Sequence, residues 1–487
     1  MDLLSLFNSS LRGEPDWPPP EVRAAWEDVE LYRWRFEGDR ARLVAQNARW
    51  HGEAESIYVP VPFAREIGRL SAALLFSEPA TITHEKYQDE LEEILRVRKF
   101  DAFLQTSAEY VAIEGRGGLK VFFDDSIKLG VPLIHYVHED QILWTERHGH
   151  VTGGTVVYER EHPTRKNLVW RLLEEHAPGT VRRALYEGSA GKLGREIDLA
   201  AWGDEALEEE VETGLDTATL IPWENVPGAA SDLKGLDSLM DELDEAESLL
   251  LDKGRKSVPV VFTDRSLADP NGVVARTGVI FTGDGRLMVE MGEEGKGSKI
   301  ETVQPGLQSS EHIAWIEHVR NTALQYAGYS LATWGLDQGG SADSGKALKL
   351  RQNRTLLTRA GKDRMGREAI AEALGVALAW ADGASEILDY RPVVELADGM
   401  PEDPLETAQE IQTLDSAGAI STEEKVERLH PDWDDDRKAE EVRRIDGARN
   451  PDPSAPPPAG LNRVTDLITQ RLGANGQDGN APPEPEA

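Results

Sequence analysis

The first quarter of the chain has the periodicity of helices. Apolar residues recur at intervals of three and four positions over 16–47, 63–76 and 87–114. Residues 58–62 carry two prolines, and each proline disfavours the α conformation in the residue before it. The pattern therefore predicts three helical segments, with an extended stretch before the second and a glycine-rich turn, 115–118, after the third.

After this turn, apolar and polar residues alternate, which is the pattern of half-buried strands. The sheet region extends to about residue 223, and turn-forming residues separate its strands. Such short separations predict antiparallel pairing. The clearest predicted strands are 119–123, 132–137, 154–158 and 168–172.

Two amphipathic helices then flank a short β region. The first covers 233–257, with one apolar stripe opposite an acidic face, and the second runs from about 309 to 328. Short strands and glycine-rich turns lie between them. This layout predicts an outward helix, a small β module and a return helix, with module strands at 259–262, 279–282 and 287–289.

The next segment combines a loop, a long helix and a strand. Residues 329–345 are glycine-rich and predicted as a loop, and a helical pattern then continues to about residue 382. A strand is predicted at 391–396. The long helix contains the most basic stretch of the chain.

Short acidic helices are predicted over 404–446. Within them Ser421 is placed to cap a helix start, with Glu424 at the capping-box position. Residues 449–487 are rich in proline and glycine and are predicted to be mostly disordered. The exception is a short amphipathic helix at 461–472.

The charge of the 487 residues is strongly acidic and unevenly placed. The chain has 88 Asp and Glu against 53 Lys and Arg, a formal net charge of −35, and it lacks cysteine. Residues 196–252 carry 18 acids and one base, 346–367 carry eight bases and one acid, and 401–446 carry 15 acids and six bases. Blocks of opposite charge in one chain indicate separate functional surfaces. The alternative is that each block is an ordinary solvated face without a specific role. The net charge of −35 argues against a protein that binds nucleic acid tightly, because such proteins have a basic surface patch.

Two motifs resemble functional sites, a phosphate-binding loop and a metal site, but each lacks part of the pattern that defines it. Residues 340–346 fit the first seven positions of a phosphate-binding loop, but the eighth is Ala347 and no buried strand precedes it. His135 and His138, with nearby carboxylates and His148 and His150, could be metal ligands. They lack the spacing of a helical zinc motif, so structural histidines are favoured. No catalytic residue, metal or cofactor is predicted.

The order of several short motifs resembles one known family, the portal proteins of tailed bacteriophages, in particular the siphophage-type portals. None of the motifs is diagnostic alone, but their order around the helix–β module–helix insertion is specific. The resemblance covers about residues 55–450. The matching segments are 63–67, 75–79, 114–121, 235–239, 344–350, 401–403 and 417–421.

The resemblance implies an α+β fold, the elongated portal fold with a wing, a two-helix stem, a small β clip, a long spine helix and a helical crown. It also implies how the chain is divided. The expected parts are the N-terminal wing (1–232), first stem helix (233–257), clip (258–305), second stem helix (306–328), tunnel loop (329–345), long helix and wing return (346–400), crown (401–448) and disordered tail (449–487).

The implied function is structural. Portal proteins form a ring, here expected to be a dodecamer, at one vertex of the capsid, where double-stranded DNA passes during packaging and ejection. The implied partners are the large terminase subunit, head–tail adaptors, and the major capsid and scaffolding proteins, with no membrane. The protein would be in the virion, and in the host cytoplasm during assembly. The alternatives are another virion connector protein and a metal-dependent intracellular enzyme.

Candidate site residues follow from these parts. The acidic stem face would line the channel or form an outer solvated face, and the basic helix would contact DNA or a neighbouring subunit. The candidates are Asp237, Asp241, Asp244 and Glu245 in the stem; Trp334, Asp337, Gln338, Ser341 and Asp343 in the tunnel loop; Lys346, Lys349, Arg351, Arg354, Arg359 and Lys362 in the basic helix; and Arg265, Arg276, Asp284 and Arg286 in the clip.

Overall fold

The computed structural model contains two compact units, residues 1–400 and 401–487, which are described separately. Its architecture is mixed α and β, in agreement with the predicted α+β class. Within the described parts of the chain, no helix is both long and apolar enough to cross a membrane. The structure describes residues 15–46, 58–204, 207–256, 260–263, 287–289, 300–303, 309–336, 345–396, 404–430 and 433–449.

The helices agree closely with the periodic pattern. In the first unit they are α1 (Pro20–Glu37), α2 (Arg40–Gln46), α3 (Phe63–Phe76), α4 (Gln88–Arg98), α5 (Phe100–Glu114), α6 (Asp237–Lys256), α7 (Ser309–Tyr326) and α8 (Gly345–Asp382). In the second unit they are α9 (Pro404–Ser416), α10 (Thr422–Leu429) and α11 (Asp435–Arg449).

Two helix predictions were wrong, because 16–47 and 87–114 each form two helices. The first segment breaks after α1 at Gly38, whose φ of 72° is left-handed, and the second breaks at Lys99, whose φ is 51°. Lys99 ends α4 by donating its backbone N–H to the carbonyl of Arg96, and it directly precedes α5. A left-handed lysine is uncommon, so the periodicity contained no signal for this break.

The described residues contain four sheets, built from fourteen strands. They are β1 (Thr81–Thr83), β2 (Arg116–Phe123), β3 (Pro132–His138), β4 (Ile142–Arg147), β5 (His150–Glu161), β6 (Val169–Ala177), β7 (Thr180–Gly188), β8 (Arg195–Ile197), β9 (Glu210–Glu212), β10 (Leu220–Glu224), β11 (Val260–Thr263), β12 (Leu287–Val289), β13 (Ile300–Val303) and β14 (Val393–Glu395).

The largest sheet is an antiparallel meander in the order β4-β5-β6-β7-β8, with β9 also pairing with β7. A second sheet has the order β10-β2-β3, and a third consists of β1 paired with β14. The fourth sheet, β12-β11-β13, lies between α6 and α7 in sequence. In it β11 pairs with β12 in parallel and with β13 antiparallel. The predicted strand 279–282 lies outside the described residues, and β13 was not predicted.

The two largest of the five hydrophobic cores in the described residues join the helices of the first unit. Residues 369–380 of α8 are mostly buried, and they pack with α4, α5, β2 and β3 in the larger core. Small side chains such as Ala373 and Ala377 let the sheet approach this helix closely, and Trp223 of β10 fills the space beside Gly366. The other core joins α1, α3, α6 and α7. The helix pair α6–α7 is therefore anchored by the same core as α3.

The second unit begins its α10 helix at a capped residue. The Ser421 hydroxyl accepts a hydrogen bond from the backbone N–H of Glu424 at 3.1 Å, which confirms the predicted N-cap. Such a cap satisfies one of the free amides at a helix start. Lys425, which is buried, forms an ion pair with Asp415 of α9.

Candidate functional site

Helices α6 and α7 form an antiparallel pair, because contacts join both of their ends. Tyr329, just after α7, donates its hydroxyl to Asp232, just before α6, at 2.7 Å, and Lys253 near the end of α6 contacts His312 near the start of α7. The pair packs through one apolar seam. Its buried residues include Leu236, Met240, Leu243 and Ala246, and, from α7, Ile316, Val319, Ala323 and Leu324.

Asp244 does not belong to an exposed acidic face, and its prediction as a channel-facing residue is corrected here. Its carboxylate is buried and accepts the Tyr58 hydroxyl at 2.6 Å and the Val61 backbone N–H at 2.7 Å. Burial raises the pKa of this carboxyl, and these two donors oppose the rise. Ser248, one turn later, accepts the Val59 N–H at 2.9 Å. Residues 58–61 therefore cover this side of α6.

The other predicted stem acids are more accessible. Asp241 is 55% exposed, although Arg35 of α1 donates to it at 2.7 Å. Asp237 is half-buried, and burial raises its pKa. Its charge contributes, after burial, to raising the pKa of Tyr32 to about 12. Glu245 is half-buried. The acidic face is thus divided between a side docked on α1 and a side that solvent reaches.

Lys362 is also corrected, because it lies inside the protein rather than on a DNA-binding or inter-subunit surface. Its ammonium donates to Asp232 at 2.6 Å, Asn225 at 2.7 Å and Ser71 at 2.8 Å. Burial lowers the pKa of Lys362, while the Asp232 carboxylate opposes that change. Asn225 also donates to the second Asp232 oxygen at 2.8 Å. These bonds satisfy a charge that would otherwise be costly to bury.

This buried polar cluster (Ser71, Asn225, Asp232, Tyr329 and Lys362) lies where α3, α8 and the root of the helix pair meet. The phenol of Tyr329 donates to the same Asp232 oxygen that Lys362 contacts. One carboxylate therefore connects the segment before α6, the segment after α7 and the long helix.

A second set of contacts binds the segment after α7 to α8. The Thr355 hydroxyl accepts the Ser330 N–H at 2.9 Å, and the Thr358 hydroxyl donates to the Gly328 carbonyl at 2.8 Å. Gly328 has a φ of 91° and the Thr358 hydroxyl lies 2.8 Å from where a Cβ would be, so a side chain there would be strained. The rings of Trp334 and Phe63 are stacked, with 6.3 Å between their centroids. This predicted tunnel-loop residue therefore packs on α3.

The remaining basic candidates differ in their surroundings. Arg351 and Arg354 are exposed. Arg359 is largely covered and donates to the Leu74 carbonyl at the end of α3 at 2.9 Å. Lys346 and Lys349 lie in the first turns of α8. The other predicted residues are outside the described part of the chain: Asp337, Gln338, Ser341 and Asp343, and Arg265, Arg276, Asp284 and Arg286.

The histidines proposed as metal ligands do not converge. His138 is 2.6 Å from the buried carboxylate of Glu114, whereas the His135 ring nitrogen is 3.3 Å from the Arg98 guanidinium. His148 lies in the turn between β4 and β5, and His150 is the first residue of β5. In the described ranges, no group of three or more His, Cys, Asp or Glu side chains is placed to hold a metal ion.

Sequence reasoning missed the residues that anchor the helix pair. Arg35, Tyr58 and Asn225 are separated from their partners by 130 residues or more in most cases, so no local pattern connects them. One local signal does lie here, because Ser231 and Asp232 precede α6 and a serine–aspartate pair at this place predicts a helix cap. The Ser231 hydroxyl accepts the Leu233 backbone N–H at 3.0 Å and donates to the Ile113 carbonyl. The Asp232 carboxylate instead accepts from Lys362.

The family of the chain follows from comparison with known sequences. The family model described as "Phage portal protein, SPP1 Gp6-like" matches residues 53–451, which is most of the chain. The chain therefore belongs to this family of phage portal proteins, which are structural components of phage-type particles rather than enzymes. The predicted resemblance is confirmed. No curated protein matches the chain in sequence.

Solved structures of gene transfer agent (GTA) particles show distant similarity. A chain of the virion of the native particle is 10% identical with a TM-score of 0.45, and covers 85% of this chain and 94% of that one. A chain of the native neck computed with C12 symmetry is 13% identical with a TM-score of 0.44, covering 87% and 97%. A chain of the empty-particle neck computed with C6 symmetry is 12% identical with a TM-score of 0.42, covering 80% and 98%.

Proposed function

We propose that this portal protein forms a ring at one capsid vertex and that double-stranded DNA passes through the ring during packaging and ejection. The observation that carries the proposal is the antiparallel pair α6–α7, with a three-stranded sheet between its helices in sequence, inside the region matched by the portal family. We assign α6 and α7 to the stem, 258–305 to the clip, 401–448 to the crown and α8 to the spine helix.

Exposed apolar side chains on the stem pair support assembly with further copies. On α7, Trp315 is 49% exposed and Tyr326 is 72% exposed, and on α6 Leu251 is 44% exposed. We propose that these exposed apolar side chains contact neighbouring copies of the chain. In a closed ring each copy would cover such surfaces on its neighbour. We take a dodecamer as the proposed ring.

The accessible acidic residues of the stem are suited to the wall of a DNA channel. Asp237, Asp241 and Glu245 are proposed to face the channel or lie near it, whereas Asp244 is excluded by its burial. Carboxylates repel phosphates, so DNA can slide past them, whereas Lys and Arg side chains would hold it. Arg351 and Arg354 are proposed to pair with acidic surfaces of a neighbouring subunit, because the chain carries a large excess of acid.

The proposed partners follow from the portal role. They are the large terminase subunit at the clip during packaging, head–tail adaptors at the same place afterwards, and the major capsid and scaffolding proteins around the wing. The proposed location is the virion, and the host cytoplasm during assembly. The residues that contact the terminase and the adaptors are proposed to lie in the clip. They include Arg265, Arg276, Asp284 and Arg286.

Electron microscopy and native mass spectrometry of the purified chain test the ring. We expect closed rings with a central hole for the natural protein, and mostly single chains for the double variant W315E/Y326E. The matched control is L129E, since Leu129 is 77% exposed in a turn away from the stem pair. Single chains of the natural protein at high concentration would contradict the proposal.

A packaging assay tests the channel assignment. The triple variant D237N/D241N/E245Q keeps side-chain size and removes three negative charges from each subunit. We expect slower DNA translocation, and a control variant E90Q on the exposed face of α4 should behave like the natural protein. If the triple variant assembles into rings and packages and ejects DNA normally, these acids form an outer face instead.

A further inference from the structure

A cavity of about 240 Å³ lies on one face of the largest sheet. Thr155 of β5, Glu175 of β6 and Arg182 of β7 all line it. They form one cross-strand row, because Thr155 is opposite Glu175 and Glu175 is opposite Arg182. Residues paired in this way lie on the same face of a sheet. The cavity is therefore built on regular strands, which hold its wall in a fixed geometry.

The Thr155 hydroxyl is the unusual group in this cavity. Thr155 is 3% exposed, and its Oγ1 has no hydrogen-bond partner. Buried hydroxyl groups normally have a partner, since leaving one unpaired lowers stability. On the same strand, Thr152 shows the usual arrangement and donates to the Thr145 carbonyl at 3.2 Å. An unpaired hydroxyl in a cavity wall indicates that something else completes its hydrogen bonding.

The charges around the cavity favour a cation. Four carboxylates line it, those of Glu175, Glu196, Glu209 and Glu210, against the guanidiniums of Arg182 and Arg183. Both guanidiniums have internal partners. Arg182 donates to Glu210 at 2.9 Å, so these two charges cancel each other, and Arg183 donates at 2.6 Å to Glu174, which does not line the cavity. Glu196 and Glu209 are exposed and form part of the rim.

The size and walls of the cavity limit what can enter. Its volume is below the roughly 300–1,000 Å³ of common small-molecule sites. Leu173, Ala184 and the buried ring of Tyr186 provide apolar walls. A nucleotide is too large and carries the wrong charge, whereas a short alkyl chain that ends in a positive nitrogen matches both the walls and the rim.

We propose that this Thr155 pocket binds a primary alkylammonium group. The nitrogen donates a hydrogen bond to the Thr155 Oγ1, and the Glu175 carboxylate, which lies opposite Thr155 in the sheet, balances the charge. The alkyl chain lies against Leu173 and Tyr186 and extends toward the Glu196 carboxylate at the rim. Such a group occurs on free linear diamines and on lysine side chains. The proposal does not depend on ring formation or DNA passage, so it stands or fails independently of the portal role.

Calorimetric titration of the full chain with 1,4-diaminobutane tests the proposal. The uncharged control of equal length is 1,4-butanediol, and a lysine with both backbone ends blocked represents a protein source. We expect the diamine, the blocked lysine or both to bind at least tenfold more tightly than the diol. Tighter binding of the diamine identifies a free amine as the source, and tighter binding of the blocked lysine identifies a protein. Equal binding of the diol, or binding of none, overturns the proposal.

Two substitutions locate the bound group. T155V removes the hydroxyl at constant size, so we expect a higher melting temperature without ligand and about five- to tenfold weaker binding of whichever amine binds, in line with the loss of one hydrogen bond. E196Q should also weaken binding, and the matched control T152V should leave it unchanged. If E196Q weakens binding but T155V does not, the amine is held only at the charged rim and the pocket assignment is wrong.

Discussion

The ammonium of Lys362 lies 2.6 Å from a carboxylate oxygen of Asp232, and both side chains are nearly free of solvent. Lys362 belongs to α8 and Asp232 to the segment before α6, so this ion pair joins the long helix to the root of the helix pair. Asn225, Ser71 and Tyr329 complete its hydrogen bonds. The pair therefore determines where three parts of the first unit meet.

Removing the charge of Lys362 alone should strongly destabilise the protein. K362M leaves the Asp232 carboxylate buried without its cation, and breaking a buried pair in this way costs about 3–5 kcal/mol. We expect this loss in the free energy of unfolding measured with urea. The matched control is R354M, since Arg354 is exposed on the same helix, and it should change stability by less than about 0.5 kcal/mol.

The double variant K362M/D232N separates the charge from the packing. Because both charges are removed, we expect it to be more stable than K362M alone, although Tyr329 and Asn225 keep only part of their bonding. Equal or greater destabilisation of the double variant would contradict the ion pair as the main contribution of Lys362.

The Tyr58 hydroxyl should be important for holding α6 in place. Y58F removes a donor from the buried Asp244 carboxylate, which keeps the Val61 N–H at 2.7 Å. We expect a loss of about 1–3 kcal/mol in the free energy of unfolding, because a buried carboxylate loses a hydrogen bond. Y326F is the control, since Tyr326 is 72% exposed. Faster amide exchange in α6 of Y58F, but not of Y326F, would show that the effect is local.

Glu174 should make the stability of the sheet depend on pH. This buried carboxylate contacts Lys120, accepts from Arg183 at 2.6 Å and lies 3.0 Å from a ring nitrogen of His176. Burial alone would raise its pKa, but these three partners hold the pKa well below the usual value. A depressed carboxyl pKa contributes stability above the unfolded value of about 4.3, and this is lost as the pH falls below it.

Thermal unfolding of the natural protein and E174Q at a series of pH values measures this contribution. We expect E174Q to melt at a lower temperature at pH 7, and the difference should shrink as the pH falls below about 4.3. The control E161Q, at the exposed end of β5, should show no such convergence. A difference that stays constant from pH 7 to pH 3 would contradict the assignment.

The sequence predicted what depends on local pattern. The stripes of α6 and α7, the length of α8 and the Ser421 cap all arise from residues close together in the chain, so periodicity and capping rules found them. The resemblance to portal proteins depends on short motifs and on their order along the chain, and neither requires knowledge of tertiary contacts.

Burial of charged side chains could not be predicted in this way. Lys362 lies in a run of basic residues that includes the exposed Arg354 and Arg364, and its partner Asp232 is 130 residues away. Asp244 looks like its acidic neighbours, yet it is covered by Tyr58, 186 residues earlier. The strand β7 was missed for a related reason, since its polar residues bind across the sheet, as Arg183 does to Glu174. Charge patterning assigns such residues to the surface, and only tertiary contacts reveal that they are internal.

The Ser421 cap should control local opening in the second unit. Its hydroxyl accepts the Glu424 N–H at 3.1 Å at the start of α10, and replacing such a cap with alanine costs about 1 kcal/mol. We therefore expect amides of residues 422–429 to exchange about fivefold faster in S421A, measured by hydrogen exchange. S421D should restore slow exchange, because a carboxylate caps equally well and favours the positive end of the helix dipole. S416A is the control, since that serine lies at the end of α9, and fast exchange in S421D would show that the hydroxyl acts in another way.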